Sequence, residues 1–374
     1  MIKYEELKRI KSWLKKKPMP PYQIEIKPTN KCNLKCITCA AMGKSEYNKK
    51  EELSFEVYKK MLIEAAKLGV KNIHITGGGE PLASDIVPDL MKLIKQLKME
   101  GTVATSGTMF TEELIKELVA LKWDNVAVSL DSYDEKTQDF IKGQKGAFKK
   151  AVQTIQLFTH YKKKLKKDKP DIEFRPVLNR YNYDKLVDYL KLAHSLNVRE
   201  VYVQPLRVKN NNAGKRLMLS AKQKAEFKKS IPNLLKKASQ LGININLDSF
   251  DDLLIEKESD VKEVIKSYTI EKPGTKSETK SEKKKKSVED EFSSLPCYNP
   301  WFFISIRPNG DVYPCSSDMP KAFGNIKEHS IKDIWFSKKF DILRKGFINK
   351  NIPEYCSLCC GLNLLKTKKI QARL

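Results

Sequence analysis

The sequence predicts an α/β fold: a partial (β/α)6 TIM-like barrel followed by a small cysteine-rich domain made of a β-hairpin and a helix. Two observations support this class. Short β-branched segments alternate with amphipathic segments of helical period, as in parallel sheets covered by helices. Polar and glycine-rich clusters follow the strands, at the edge where such sheets form their sites. Six units are too few for a closed eight-unit barrel.

The elements of the predicted barrel follow one another along the chain. A basic amphipathic helix at 2–17 ends at Pro18 and Pro20, and we expect it to pack on its own domain rather than on a membrane. The predicted strands are 22–27, 72–76, 102–105, 126–130, 172–178 and 201–203. The predicted helices are 54–69, 86–98, 112–121, 148–161, 185–196 and 220–241.

The later part of the chain departs from this alternation. A polar segment at 256–290 contains Lys272-Pro273-Gly274 and a lysine run at 283–286, and its composition predicts a disordered insert or linker. The predicted division is therefore an N-terminal helix at 1–20, the barrel at 21–255, the insert at 256–290 and the cysteine-rich domain at 291–374.

Composition limits the class of protein. The 374 residues carry a net charge of +25, but only nine of the basic residues are arginine, so solvated lysine-rich faces are favoured over nucleic-acid recognition. No apolar run is long enough to span a bilayer, and the N-terminus has no secretory pattern. We therefore expect a cytoplasmic protein without a transmembrane segment.

Eight clustered cysteines indicate metal or redox chemistry. Cys32, Cys36 and Cys39 have the spacing CxxxCxxC, and three thiolates can ligate three irons of a 4Fe–4S cluster and leave the fourth open. A structural zinc site prefers four ligands, so zinc is the weaker alternative. Gly77-Gly78-Gly79-Glu80-Pro81 follows the second strand, and consecutive glycines let a ligand approach the backbone.

The C-terminal cysteines form a second set. Asn309-Gly310 predicts a hairpin turn between strands at 302–307 and 311–314. Four cysteines could complete one metal centre: Cys297, Cys315, Cys356 and Cys359. Spacing alone leaves an iron–sulfur cluster and a zinc ribbon equally open.

Through the CxxxCxxC motif, the glycine-rich motif at 77–81 and Ser129-Leu130-Asp131 at the end of the fourth strand, residues 20–210 resemble the radical S-adenosylmethionine (SAM) superfamily. The resemblance implies that the first three cysteines hold a 4Fe–4S cluster whose open iron binds SAM, and that reductive cleavage of SAM gives a 5′-deoxyadenosyl radical that abstracts hydrogen. It places Gly77, Gly78 and Glu80 near the methionine end of SAM, Ser129 near the ribose, and Ser106 in the same cavity. The family often has an aromatic residue where Thr38 stands and arginine where Lys142 stands.

The tail resembles the SPASM or twitch extension of that superfamily, through Gly310 to Cys315, the turn at 323–326 and the helix with Trp335. The resemblance implies one auxiliary 4Fe–4S cluster on Cys297, Cys315, Cys356 and Cys359, with Cys360 as an alternative ligand or a buried apolar residue. It also implies an electron donor such as a flavodoxin or ferredoxin.

An auxiliary cluster with no open iron suits electron transfer from a substrate radical. We therefore expect oxidation of a small molecule such as a sugar or cyclitol. Peptide or protein modification is the alternative enzyme function, and a basic zinc-containing RNA-binding protein is the alternative of another class. No catalytic residue is assigned, and none of the four histidines is given a role.

Overall fold

A computed structural model describes residues 4–39, 51–206, 216–249, 295, 297–316, 319–349, 351, 353, 356, 367 and 370. The predicted insert at 256–290 lies outside the described residues, as do Cys359 and Cys360. None of the described helices has both the length and the apolar character that a membrane crossing requires.

Among the described residues, a ten-stranded, mostly parallel sheet forms the centre of the molecule. Its strand order begins with β12 (Gly324–Asn325), β11 (Asp311–Tyr313) and β10 (Phe303–Ile306) and continues as β1-β2-β3-β4-β5-β7-β9. Its strands from the barrel region are β1 (Gln23–Ile26), β2 (Asn72–Ile75), β3 (Glu100–Thr105), β4 (Asn125–Val128), β5 (Asp171–Phe174), β7 (Glu200–Val201) and β9 (Asn244–Ile245). Two further strands, β6 (Val177–Leu178) and β8 (Gln204–Pro205), form a separate parallel pair. The sheet is open, which confirms the predicted partial barrel.

Helices cover the outer face of this sheet. They are α1 (Tyr4–Leu14), α2 (Phe55–Lys67), α3 (Val87–Gln96), α4 (Glu112–Ala120), α5 (Glu135–Lys142), α6 (Ala147–Lys164), α7 (Leu186–Ser195), α8 (Ala221–Gln240), α9 (Ile331–Trp335) and α10 (Lys338–Ile348). Alternate strand residues such as Ile73, Ile75 and Val103 are fully buried against them in the main apolar core. Because strand side chains alternate between faces, the intervening residues point to the inner face.

A smaller apolar core joins α1 to the C-terminal region. It contains Ile10, Tyr22, Trp301 and Phe347. The predicted packing of the N-terminal helix on its own chain agrees with these contacts. The side chain of Arg344 lies over the rings of Trp13 and Trp335, and the Trp335 indole donates to the Met19 carbonyl at 2.8 Å.

The C-terminal hairpin continues the barrel sheet, which the sequence analysis did not predict. The hairpin consists of β10 (Phe303–Ile306) and β11 (Asp311–Tyr313), and β12 (Gly324–Asn325) pairs with β11. Strand β10 pairs in parallel with β1, in the register that sets Ser305 beside Glu25. One sheet crosses the predicted boundary between the barrel and the C-terminal domain. The division into separate domains stays a prediction.

Two local predictions need correction. The segment expected to be one strand at 172–178 divides into β5 and β6, with Arg175 and Pro176 between them. Pro176 has no N–H for ladder bonding, which accounts for the break. Helix α5 was not predicted. Its signals are Asp134, whose carboxylate accepts the Thr137 amide, and Gly143, which ends the helix at a φ of 61°.

Candidate functional site

Three thiols lie on the loop that leaves the carboxyl end of β1: Cys32, Cys36 and Cys39. The last turn of α5 holds this loop by two backbone bonds. The Lys35 amide donates to the Lys142 carbonyl at 3.1 Å, and the Ile37 amide donates to the Ile141 carbonyl at 2.9 Å. Exposed carbonyls at a helix C-terminus therefore fix the path of the loop.

Gly143 permits the close approach of α5 to this loop. A Cβ at this position would lie 2.4 Å from the Lys35 carbonyl oxygen, and the φ of 61° disfavours other residues independently. Helix α5 is thus a support of the cysteine loop that the motif analysis missed.

The glycine-rich turn after β2 packs directly against the cysteine loop. The Gly79 amide donates to the Thr29 carbonyl at 3.1 Å, and the Glu80 amide donates to the Lys31 carbonyl at 2.9 Å. A Cβ on Gly79 would lie 1.9 Å from the Lys31 carbonyl oxygen, so no side chain fits there. The two motifs therefore form one continuous edge of the site.

Glu80 turns its buried carboxylate towards the end of β3. It accepts the Thr105 hydroxyl at 2.5 Å and the Ser106 amide at 2.7 Å. Burial raises the pKa of Glu80, although these hydrogen bonds counteract part of the rise. Glu80 therefore joins two neighbouring strand ends, and its expected contact with SAM stays a prediction.

The remaining residues predicted to bind SAM lie on the same edge. The Ser106 hydroxyl bonds the Thr108 hydroxyl at 2.8 Å, and Thr108 also accepts the Asn33 side-chain amide from the cysteine loop at 2.9 Å. The half-buried Ser129 follows β4. Because β2, β3 and β4 are adjacent and parallel, the structure brings the whole predicted set to one edge: Gly77, Gly78, Glu80, Ser106 and Ser129.

The site has features that suit a cluster and SAM. Thr76 Oγ1, at the start of the glycine turn, is buried and has no hydrogen-bond partner in the described part of the chain. Gly77 and Gly79 have no room for a side chain, so the turn must be made of glycine, and three thiols are the ligands that iron–sulfur clusters take. Within the described ranges, no three His, Cys, Asp or Glu side chains converge as a preformed metal site. The assignment of ligands stays a prediction.

Lys142 forms a buried ion pair beside this loop. Its ammonium lies 2.7 Å from Asp131 Oδ2, and Asp131 Oδ1 accepts the Val177 amide at 2.7 Å. Burial disfavours the ammonium, but the charge of Asp131 raises the pKa of Lys142 above its ordinary value. Burial raises the pKa of Cys36 to about 11, and Lys142 opposes that rise.

The described C-terminal cysteines lie around the hairpin and the smaller core. Cys315 follows β11, and its sulfur accepts the Asn299 side-chain amide at 3.9 Å. Cys297 and Cys356 pack against the smaller core. Burial and, to a smaller extent, the neighbouring Cys315 raise the pKa of Cys356 to about 12. The predicted fourth ligand, Cys359, and its alternative, Cys360, fall on residues that the structure does not describe.

The inner face of the sheet carries charged residues below the site. Arg175 bonds both oxygens of Glu173, at 2.7 and 3.3 Å, and its Nη1 lies 3.5 Å from Nε2 of His74. Burial and the charge of Arg175 together lower the pKa of His74 to about 4. The alternation of side chains along a strand does not by itself give the face of the sheet on which Glu173 and Arg175 lie.

Comparison with known proteins agrees with this geometry. A profile of the radical SAM superfamily matches residues 26–168, which contain the cysteine loop, the glycine turn and α5. The chain belongs to the radical SAM superfamily. A second profile, described as an iron–sulfur cluster-binding domain and named SPASM, matches residues 297–360. This radical SAM protein is therefore an enzyme that binds a 4Fe–4S cluster and SAM, with auxiliary iron–sulfur binding in its SPASM domain.

Several relatives extend along most of the radical SAM chain. The PqqA peptide cyclase of Gluconobacter oxydans is 23% identical over 353 residues, covering 91% of this chain and 83% of that protein. The tungsten-containing aldehyde ferredoxin oxidoreductase cofactor-modifying protein of Pyrococcus furiosus is 26% identical over 359 residues, covering 91% and 89%.

The fold matches solved structures of SuiB from Streptococcus suis. SuiB bound to S-adenosylmethionine has a TM-score of 0.65 at 17% identity and covers 96% of this chain and 75% of its own. SuiB bound to its precursor peptide SuiA has a TM-score of 0.65 at 16% identity, covering 92% and 74%. These similarities show a shared fold.

Proposed function

We propose that this radical SAM enzyme modifies a peptide, and that the modification begins with removal of a hydrogen atom from that peptide. The observation that carries the proposal is the near full-length similarity to a peptide cyclase, in a chain that also has the fold of an enzyme solved with its precursor peptide. The expected oxidation of a sugar or cyclitol stays unconfirmed.

In this proposal the loop after β1 supplies the ligands of the SAM-binding cluster: Cys32, Cys36 and Cys39. When bound, the cluster and SAM supply the radical that abstracts hydrogen from the substrate. Gly77, Gly78, Ser106 and Ser129 line the SAM cavity, and Glu80 keeps the ends of β2 and β3 together. Thr76, whose hydroxyl has no partner among the described residues, is a further SAM contact.

The SPASM cysteines hold the auxiliary cluster in the same proposal. The assigned ligands are Cys297, Cys315, Cys356 and Cys359, with Cys360 as the alternative last ligand. Because β10 pairs with β1, the hairpin that ends at Cys315 lies beside the inner face of the barrel. A substrate in the barrel is then flanked by both metal centres. We also propose that the chain divides into an N-terminal helix at 1–20, the barrel at 21–255, an insert at 256–290 and the auxiliary-cluster domain at 291–374.

A second candidate is modification of a cofactor, favoured by the similarity to the Pyrococcus furiosus cofactor-modifying protein. A hydrogen-transfer experiment separates the two. Cells of the source organism are grown in deuterated medium, and the extract is divided into a peptide fraction and a small-molecule filtrate. Each is incubated with the reconstituted enzyme, SAM and dithionite.

We expect deuterium in 5′-deoxyadenosine with the peptide fraction, and its loss after protease treatment of that fraction. The Cys36→Ala variant is the matched control and should transfer none. Transfer from the small-molecule filtrate alone would contradict a peptide substrate and favour the cofactor or sugar alternatives.

A further inference from the structure

A buried carboxylate connects the barrel to the residue that follows Cys315. Glu25 is 6% exposed and lies on the inner face of β1. Its Oε1 accepts the Ser305 hydroxyl at 2.7 Å, and its Oε2 accepts the Ser316 hydroxyl at 3.0 Å. One oxygen therefore bonds the hairpin strand β10, and the other bonds the cysteine turn itself.

The same turn is held through its backbone. Lys27 donates to the Ser316 carbonyl at 3.2 Å, and Arg307 donates to that carbonyl at 3.3 Å. Lys27 also lies 3.5 Å from Glu25 in an ion pair that is almost fully buried. Three charged side chains thus converge on the one residue after Cys315.

This arrangement is costly if it serves stability alone. A buried ion pair contributes little net stability, because desolvation offsets the attraction between its members, whereas it can fix one particular geometry. The parallel pairing of β1 and β10 already joins the two regions. The backbone pairing does not fix the position of the turn at Cys315, whereas the hydrogen bonds of Glu25 do.

We infer that Glu25 is a positioning residue for the auxiliary cluster, acting through Ser316 on Cys315. The inference rests on the proposed assignment of Cys315 to that cluster. Glu25 is also the register neighbour of His74 on the inner face. The Glu25 side chain therefore lies between the hairpin and His74, and its charge would act on a cluster bound at Cys315.

The test compares Glu25→Ala with Glu64→Ala in the full chain, reconstituted anaerobically. Glu64 is the matched control because it also joins the barrel to the C-terminal region, by accepting the Ile331 and Lys332 amides at 3.1 and 2.9 Å. It does so away from Cys315. Iron content, the electron paramagnetic resonance signal of each cluster and 5′-deoxyadenosine formation are measured without substrate.

We expect Glu25→Ala to lose the auxiliary signal and fall from about eight to about four irons per chain, while deoxyadenosine formation persists. Glu64→Ala should keep both clusters. Full iron with an unchanged auxiliary signal in Glu25→Ala would overturn the inference, as would equal iron loss in both variants or about four irons in the parent protein.

If Glu25→Ala does not fold, Glu25→Gln decides the question. Its amide keeps hydrogen bonds to both serine hydroxyls but removes the negative charge. We expect full iron and a higher midpoint potential for the auxiliary cluster alone, since cluster potentials follow local charge. An unchanged auxiliary potential would overturn the inference. No readout here uses a substrate, so a failure would leave the peptide proposal standing.

Discussion

The two groups of cysteines are held by different kinds of structure. The first three lie within eight residues on one loop, and backbone bonds hold that loop against α5 and the glycine turn. The described C-terminal cysteines come from segments far apart in the chain and meet around a hairpin and an apolar core. The first site is therefore built locally, and the second depends on tertiary packing.

This difference implies separable functions. Damage to the first loop should stop SAM cleavage without loss of the auxiliary centre, and damage around Cys315 should do the reverse. The shared sheet, in which β10 pairs with β1, is the structural connection between them. The following predictions test how independent the two sites are.

The largest effect is expected from single cysteine replacements. Cys36→Ala should abolish 5′-deoxyadenosine formation, because the cluster loses one of its three protein ligands. Cys315→Ala should retain deoxyadenosine formation and lose about four irons per chain. Iron analysis and chromatography of the same samples check both results. SAM cleavage by Cys36→Ala would show that the loop does not hold the SAM-binding cluster.

A methyl group at the contact between the two loops should weaken the binding of SAM. In Gly79→Ala the new Cβ would meet the Lys31 carbonyl at 1.9 Å, so one loop must move. We expect SAM affinity to fall at least about tenfold, which corresponds to about 1.4 kcal/mol. Equilibrium dialysis with labelled SAM measures it.

Gly69→Ala is the matched control. Its φ of 84° disfavours alanine through backbone strain alone, because no atom lies within 4 Å of the added Cβ. It should cost about 1–2 kcal/mol of stability and leave SAM affinity unchanged. An equal loss of SAM affinity in both variants would show that the contact between Gly79 and Lys31 is not needed for SAM binding.

Breaking the buried ion pair beside the cysteine loop should destabilise the protein. Lys142→Met leaves the Asp131 carboxylate buried without its cation, so the free energy of unfolding should fall by about 3–5 kcal/mol. Adding Asp131→Asn should recover most of this loss, since the amide oxygen still accepts the Val177 amide. Urea titration measures both. A double variant less stable than Lys142→Met would show that the carboxylate has a separate structural role.

A further prediction concerns His74 and the dependence of stability on pH. Because its pKa is about 4 in the folded protein, the unfolded chain alone binds a proton between pH 6.5 and 4. The neutral His74 therefore contributes fully to stability above pH 6.5. This contribution, about 3 kcal/mol in all, is lost as the pH falls from 6.5 to 4. His74→Asn should therefore show a weaker loss of stability from pH 7.5 to 5.

His329→Asn is the control for this pH profile, because the His329 side chain is 59% exposed. Urea midpoints across the pH range compare the three proteins. Identical pH profiles for the parent protein and His74→Asn would contradict the assignment of a neutral, half-buried histidine.

Sequence reasoning succeeded where the structure is local. The period of the helices, the caps and the strand-end motifs predicted the open α/β sheet and the edge where the site lies. The glycine turn and the cysteine loop were recognised because each is a short contiguous motif.

It failed where geometry depends on distant contacts. Nothing in the sequence near Glu25 indicates a bond to Ser316, since that contact requires β10 to pair with β1. Helix α5 carried signals, in Asp134 and Gly143, but its short length and polar surface gave little apolar period. Its role became visible only through the Lys35 and Ile37 backbone bonds.

The central claim is that one chain carries a SAM-cleaving cluster and a separate auxiliary cluster. The most direct measurement is anaerobic reconstitution with iron and sulfide, followed by SAM and dithionite, with iron and 5′-deoxyadenosine measured per chain. We predict formation of 5′-deoxyadenosine together with about eight irons per chain, as two 4Fe–4S clusters require. Bound zinc, with no SAM binding and no deoxyadenosine, would contradict the account.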